Sequence, residues 1–133
     1  MILLYTNLLL IFALFYFYYQ SDKNWMECIL ALLLVAVIIS SQFFWRNPMR
    51  GTSIHKIDAI IAKVCILSFI FYTIVFKLQT DDLTLIYAIL LAFIAAAAGF
   101  SSYYSSKKWC GPSHLHSHAF LHYFCFIATF FAF

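Results

Sequence analysis

The sequence predicts an all-α fold, a polytopic membrane helix bundle of about five transmembrane helices. Hydrophobic residues form 65% of the 133-residue chain and charged residues only 10%, whereas a soluble domain is roughly half apolar and a quarter charged. A chain of this size cannot hide so much apolar surface in one aqueous core, so the bilayer is the expected solvent. The net charge of +3 is small and scattered, and gives no indication of a nucleic-acid partner.

Polar residues divide the chain into five apolar segments, each close to the ~20 helical residues that span a hydrocarbon core of ~30 Å. The segments cover residues 2–19, 25–44, 57–76, 83–104 and 115–133. We therefore expect one transmembrane domain, residues 1–133, with short loops between antiparallel helices. The first segment lacks a basic start and an A-x-A site, which favours a retained span over a signal peptide. The last segment begins among four histidines, so a buried or re-entrant fifth helix is the alternative.

The distribution of charge between the loops predicts the orientation. With five spans, the side of the N-terminus carries the basic residues Arg46, Arg50, Lys56, Lys107 and Lys108. The opposite side carries two lysines and four acids, namely Lys23, Lys77, Asp22, Glu27, Asp81 and Asp82. The positive-inside rule then places the N-terminus in the cytoplasm.

The stretch GPSHLHSHAFLHYF contains the clearest candidate for chemistry. Its residues His114, His118 and His122 follow the spacing i, i+4, i+8, so they share one stripe of a helix about 12 Å long, while His116 points to the other side. An H-x-x-x-H pair on one helix face allows two imidazoles to bind one metal ion. Pro112 near the first helical position, with Ser113 as a candidate cap, predicts that this helix begins at residues 111–113.

A second polar feature, in the stretch TSIHKIDAIIAK, opens the third segment. His55 and Asp58 are three positions apart and therefore lie on one helix face. A carboxylate just inside a membrane helix generally needs a partner; Asp58 would be a metal ligand, an acceptor that orients a ligating histidine, or a general base. Ser41 lies at the same depth at the end of the second segment, and is a candidate catalytic residue that hydrogen-bonds a water or substrate. The simpler alternative pairs Asp58 with a nearby basic residue, namely Lys56, Arg50 or Arg46.

Two short windows resemble the superfamily of membrane hydrolases that includes the alkaline ceramidases, the progestin and adiponectin receptors and the Per1-like lipid remodelling proteins. The window IDAIIAKV around Asp58 is similar to the Asp-bearing helix of that superfamily, and HAFLH, from His118 to His122, is similar to the H-x-x-x-H of its last helix. The resemblance implies that His118 and His122 bind Zn²⁺ and that Asp58 orients or deprotonates the zinc-bound water. A lipid would then be the substrate.

The sequence departs from that superfamily in two respects. The superfamily usually has seven spans, whereas this chain has five apolar segments. Its members also carry Ser-x-x-x-His at the end of the preceding span, where this chain has Ser41 followed by Trp45. His55 or His114 would have to supply the third zinc ligand.

Three functions therefore stay open. The first is a metal-dependent hydrolase that acts on a lipid at the cytoplasmic leaflet, with Zn²⁺ lowering the pKa of a bound water. The second is a non-enzymatic structural or assembly protein, or a subunit of a membrane-protein complex, in which the histidines only cap a helix and hydrogen-bond to neighbouring helices. The third is a haem-binding electron-transfer protein with His55 and His118 as axial ligands.

Overall fold

The computed structural model describes residues 2–77 and 82–133, and within these ranges the secondary structure is entirely helical. The helices are α1 (Ile2–Gln20), α2 (Trp25–Arg46), α3 (Ser53–Tyr72), α4 (Asp82–Ser105) and α5 (Pro112–Ala132). A π-helical segment, Thr73–Lys77, continues α3. The predicted all-α helix bundle is confirmed. Asp81, one of the acids used to predict the orientation, lies outside the described residues.

All five helices are long and apolar enough to cross a membrane. Their lengths of 19 to 24 residues correspond to roughly 28 to 36 Å. Large apolar side chains such as Phe12, Leu32, Phe71 and Phe93 are exposed on the outside of the bundle. A surface of this kind is stable in lipid and not in water, so the fold is that of a multi-pass membrane protein.

The helices pack in the spatial order α4, α5, α1, α2, α3, and α3 also contacts α5. The centre of the bundle holds Leu10, Leu34, Val37, Phe69 and Phe133. α2 has the most buried surface of the five helices and α4 the least, because the interface of α4 is formed almost entirely with α5. α4 is therefore the helix with the largest surface left for lipid or for a ligand.

Local capping explains where three helices begin. The Asn24 side chain accepts a hydrogen bond from the Glu27 amide at 2.8 Å and caps α2, and the Thr52 side chain caps α3 in the same way. The second cap extends α3 four residues upstream of the predicted span. α5 begins at Pro112, but its cap is Gly111 and the candidate cap Ser113 lies inside the helix.

A buried carboxylate joins the ends of α1, α2 and α3 on one side of the bundle. The Glu27 side chain is 0% exposed and accepts hydrogen bonds from Ser21 Oγ at 2.5 Å and Tyr72 Oη at 3.0 Å. Lys77, in the π-helical segment, places its Nζ 2.9 Å from Glu27 Oε1 and 3.7 Å from Asp22. This network fixes the end of α3 opposite to the end that carries Asp58.

Candidate functional site

A cavity of about 410 Å³ lies between α2, α3, α4 and α5, within the range of ~300–1,000 Å³ typical of ligand pockets. His114 and Phe131 line its two ends and are roughly 25 Å apart along α5 at 1.5 Å per residue. α3 and α4 both line the cavity but share no extensive interface among the described residues. The cavity is therefore long and narrow, with a side opening between α3 and α4.

One end of this cavity collects nearly all the residues that the sequence predicted as a site. Asp58 and His55 line it from α3, Ser41 lines it from α2, and α5 contributes His114, His118 and His122. Towards the other end, the walls are formed mainly by apolar side chains, including Leu34, Phe69, Ala88, Leu91 and Ala128. The predicted His/Asp residues thus lie at the polar end of an otherwise apolar cavity.

The three predicted co-facial histidines of α5, named the imidazole row below, point into the bundle. His114 is 3% exposed and His122 is 8% exposed, whereas His116 is on the exposed face of the helix. The ring centroids of His114 and His118 are 6.0 Å apart, and those of His118 and His122 are 4.8 Å apart. The spacing i, i+4, i+8 therefore gives a continuous row of imidazoles along one wall of the cavity.

Backbone amides determine the tautomers of His55 and His114. The Gly51 amide donates to His55 Nδ1 at 3.0 Å, and the Cys110 amide donates to His114 Nδ1 at 3.3 Å. An amide N–H is always a donor, so each Nδ1 must be an acceptor and each neutral ring carries its proton on Nε2. As they stand, both rings present an N–H donor at Nε2 instead of a lone pair.

The other two histidines of the row face hydroxyl groups, which either donate or accept. Ser102 Oγ of α4 lies 3.0 Å from His118 Nδ1, and Thr6 Oγ1 of α1 lies 2.9 Å from His122 Nδ1. The Thr6 hydroxyl also donates to the carbonyl of Leu3, which favours its acting as an acceptor toward His122. The Nε2 lone pair of His122 then remains available as a base or a ligand.

Asp58 is partnered by hydroxyl groups and not by a cation. Its side chain is 6% exposed, and Oδ1 accepts hydrogen bonds from Ser40 Oγ at 2.9 Å and Ser41 Oγ at 2.7 Å. Among the described residues, the ion pairs are those that Lys77 makes with Asp22 and Glu27. The alternative pairing of Asp58 with Lys56, Arg50 or Arg46 is therefore not formed.

The donors required for a metal site are only partly brought together. In the part of the chain that the structure describes, no three His, Cys, Asp or Glu side chains are arranged to hold one metal ion. His118 and His122 are adjacent, but either candidate third ligand, His55 or His114, would first have to give up its hydrogen bond from a backbone amide. The same hydrogen bond would have to break for His55 to bind haem iron. The described side chains therefore do not form a complete site for a metal ion.

Two loops form the mouth of the cavity at its polar end. The Trp109 indole donates to the Pro48 carbonyl at 3.2 Å, and Arg50 donates to the Ser106 carbonyl at 3.2 Å. The Arg50 guanidinium also lies 5.8 Å from the centre of the Trp109 ring. These contacts connect the α2–α3 loop to the α4–α5 loop and hold a cation at the mouth of the cavity.

Trp45 is a buried member of the site that the sequence did not identify. Its position at the end of α2 predicts an indole in the headgroup region, but the side chain is only 2% exposed. The ring stacks on Trp109 at 5.9 Å and lies 5.0 Å from the ring of His118. Its Nε1–H is buried without an acceptor among the described residues. The available signal was the position of Trp45 four residues after Ser41, which puts both side chains on one face of the helix.

Comparisons of the chain with family models, with curated proteins and with solved structures gave no match. The resemblance to the membrane hydrolase superfamily therefore stays a prediction.

Proposed function

We propose that this protein binds a membrane lipid in the cavity, with the acyl chain along the apolar walls and the polar group beside Asp58 and the imidazole row. The observation that carries the proposal is the joining of these two environments in one cavity. A lipid needs both, because its chain must stay out of water and its polar group must find hydrogen-bonding partners. The side opening between α3 and α4 gives a lipid a path from the bilayer.

The polar end is equipped for proton transfer as well as for binding. Asp58 has one oxygen engaged by two serine hydroxyls, and His122 retains a free Nε2 when Thr6 accepts from its Nδ1. A carboxylate and an imidazole in one desolvated pocket are groups that act as general bases. Hydrolysis of the bound lipid is the reaction class that this set of residues fits best.

The orientation predicted from the loop charges belongs to the same proposal. The mouth of the cavity is formed by the two loops that carry Arg50 and Trp109, which lie on the side of the N-terminus. If that side is cytoplasmic, as the positive-inside rule indicates, the polar group of the lipid comes from the cytoplasmic leaflet.

Photo-crosslinking tests the proposal. The protein is reconstituted in nanodiscs that contain a phospholipid with a diazirine on its acyl chain, and the crosslinked residues are identified by mass spectrometry. We expect crosslinks to cavity residues such as Leu91 and Ile66. Ala95→Trp, which fills the cavity, should remove them, whereas Ala96→Trp, on the neighbouring exposed position, should not. Crosslinks spread over the exposed surface and unchanged by Ala95→Trp would contradict lipid binding.

A zinc-dependent lipid hydrolase is the second candidate, favoured by the 4.8 Å separation of the His118 and His122 rings. His118 and His122 would hold the zinc, which would supply an activated water at neutral pH, and Asp58 lines the same cavity as the candidate base. Metal analysis of the purified protein tests this candidate. About one zinc per chain, lost in the His118→Ala/His122→Ala double variant, would support it. The absence of stoichiometric zinc from the wild type, or the same zinc content in both proteins, would contradict it.

A further inference from the structure

We infer that the cavity selects lipids with an anionic head group, a phosphate or a carboxylate, through Arg50, His55, His114 and Trp45. The inference rests on the proposed lipid binding and adds the class of lipid. It also assigns a role to four residues around the mouth of the cavity, of which Arg50 and Trp45 have no part in the predicted His/Asp site.

The charges on the cavity wall favour an anion. Of the described residues that line the cavity, those with a formal charge are Arg50, Lys63 and Asp58. With the histidines neutral, the net charge of the cavity lining is therefore +1. The single carboxylate is already hydrogen-bonded by Ser40 and Ser41. Arg50 and Lys63 are both exposed, so the attraction on an anionic group acts at the mouth of the cavity, at Arg50, and is partly screened by water.

The hydrogen-bond donors at the mouth of the cavity also favour an anionic group. The amides of Gly51 and Cys110 place the ring protons of His55 and His114 on Nε2, which makes both nitrogens donors. Arg50 uses one N–H on the Ser106 carbonyl and retains others of its five. Donors of this kind require acceptors, and phosphate and carboxylate oxygens are the strongest acceptors that a lipid head group offers.

The unpaired donor of Trp45 points to the same conclusion independently. The side chain is 2% exposed and lines the cavity, yet its Nε1–H has no acceptor among the described residues. Most buried N–H groups in proteins are paired, and an unpaired one calls for an explanation such as an unseen partner. An oxygen of a bound head group would supply the missing acceptor.

Competition for the photo-crosslinked cavity site tests the inference. Unlabelled phosphatidic acid, a fatty acid and phosphatidylcholine are titrated against the diazirine lipid, and the crosslinks on cavity residues are measured. At least one of the two anionic lipids should compete at about ten-fold lower concentration than phosphatidylcholine, the effect expected from one charge-assisted hydrogen bond. The result also distinguishes a phosphate from a carboxylate head group.

Two pairs of variants separate the head-group site from general attraction to the membrane surface. Arg50→Gln should abolish the ten-fold preference, whereas Lys108→Gln, which removes the same charge outside the cavity lining, should leave it. Trp45→Phe should weaken competition by anionic lipids while phosphatidylcholine still competes. If phosphatidylcholine competes with a variant at the same concentration as with the wild type, that variant is folded.

The two proposals fail in different ways. If the wild type gives no cavity crosslinks, lipid binding itself is wrong. If the cavity is crosslinked but the three lipids compete equally, or if Lys108→Gln lowers the preference as much as Arg50→Gln, only the anionic selectivity is wrong.

Discussion

Removal of the Lys77 ammonium should destabilise the bundle strongly, because Lys77 is paired with a buried carboxylate. Lys77→Met would leave the Glu27 carboxylate, which is 0% exposed, with hydroxyl partners only. These are Ser21 Oγ at 2.5 Å and Tyr72 Oη at 3.0 Å. A buried charge that loses its partner is one of the few mechanisms that produce a large loss of stability.

The expected loss follows from the surroundings of the pair. Breaking a buried ion pair from one side typically costs about 3–5 kcal/mol. The two remaining hydroxyl donors, worth about 1 kcal/mol each, and the 25% exposure of the Lys77 side chain reduce this figure. We expect Lys77→Met to lower the free energy of unfolding by about 2–3 kcal/mol. Glu27→Gln keeps an oxygen for only one of the two hydroxyls, because Ser21 and Tyr72 donate to different carboxylate oxygens, and should cost about 1–2 kcal/mol.

Unfolding of the purified protein by SDS in mixed micelles, followed by circular dichroism, measures these values. The Glu27→Gln/Lys77→Met double variant should lose about 2 kcal/mol less than the sum of the single variants, because neither charge is then left alone. Lys23→Met, an exposed lysine of the α1–α2 loop, is the matched control and should change stability by less than about 0.5 kcal/mol. Additive single variants, or equal effects of Lys77→Met and Lys23→Met, would refute the reasoning.

Three further predictions concern the other side of the bundle. Asp58→Leu leaves the Ser41 hydroxyl without its acceptor, whereas the Ser40 hydroxyl can still donate to the Val37 carbonyl, and should cost about 1–2 kcal/mol in the same SDS titration. Asp58→Asn should cost less; equal losses would contradict the hydroxyl network. Burial raises the pKa of the Cys110 thiol, so the rate of its labelling by maleimide should be low at pH 7 and should still increase above pH 9. In sealed vesicles, labelling of Cys110 should require reagent on the side predicted to be cytoplasmic; labelling from the opposite side would contradict the proposed orientation. Gly111→Ala would place a Cβ 2.9 Å from the Lys108 carbonyl oxygen and should cost about 1–3 kcal/mol, whereas Gly99→Ala, with its nearest contact at 3.8 Å, should be nearly neutral.

The sequence was sufficient to predict the helices because their signals are local. Each apolar segment has the length of one span, and polar residues separate the segments. The inward stripe of His114, His118 and His122 also followed from spacing alone. The end points were less predictable. The Thr52 cap lengthens α3, and the cap of α5 is Gly111, where a Cβ would lie 2.9 Å from the Lys108 carbonyl oxygen.

The partners of the polar residues could not be predicted from the sequence. Glu27 and Lys77 were counted only as loop charges, but the π-helical segment brings Lys77 back to a carboxylate 50 positions earlier in the sequence. Asp58 was assigned a role as a metal ligand, an orienting acceptor or a general base, with pairing to a basic residue as the alternative. In the structure it accepts from Ser40 and Ser41, of which Ser41 was placed at the same depth but not identified as its partner. Such pairs depend on how each helix is rotated about its own axis. Here apolar residues surround nearly the whole helix, so the hydrophobic pattern does not determine that rotation.

Interhelical hydrogen bonding accounts for one ring nitrogen in each of two histidines of the imidazole row. His118 joins α5 to α4 through Ser102, and His122 joins α5 to α1 through Thr6, which is the usual work of polar groups between membrane helices. Each of these contacts uses only the Nδ1 atom of the ring. The second nitrogen of each ring adds a polar group to the hydrocarbon region, at a cost that a purely structural role does not offset. A ligand in the cavity that Asp58, His118 and His122 line would give these nitrogens a partner, which is why we favour ligand binding over a structural role alone.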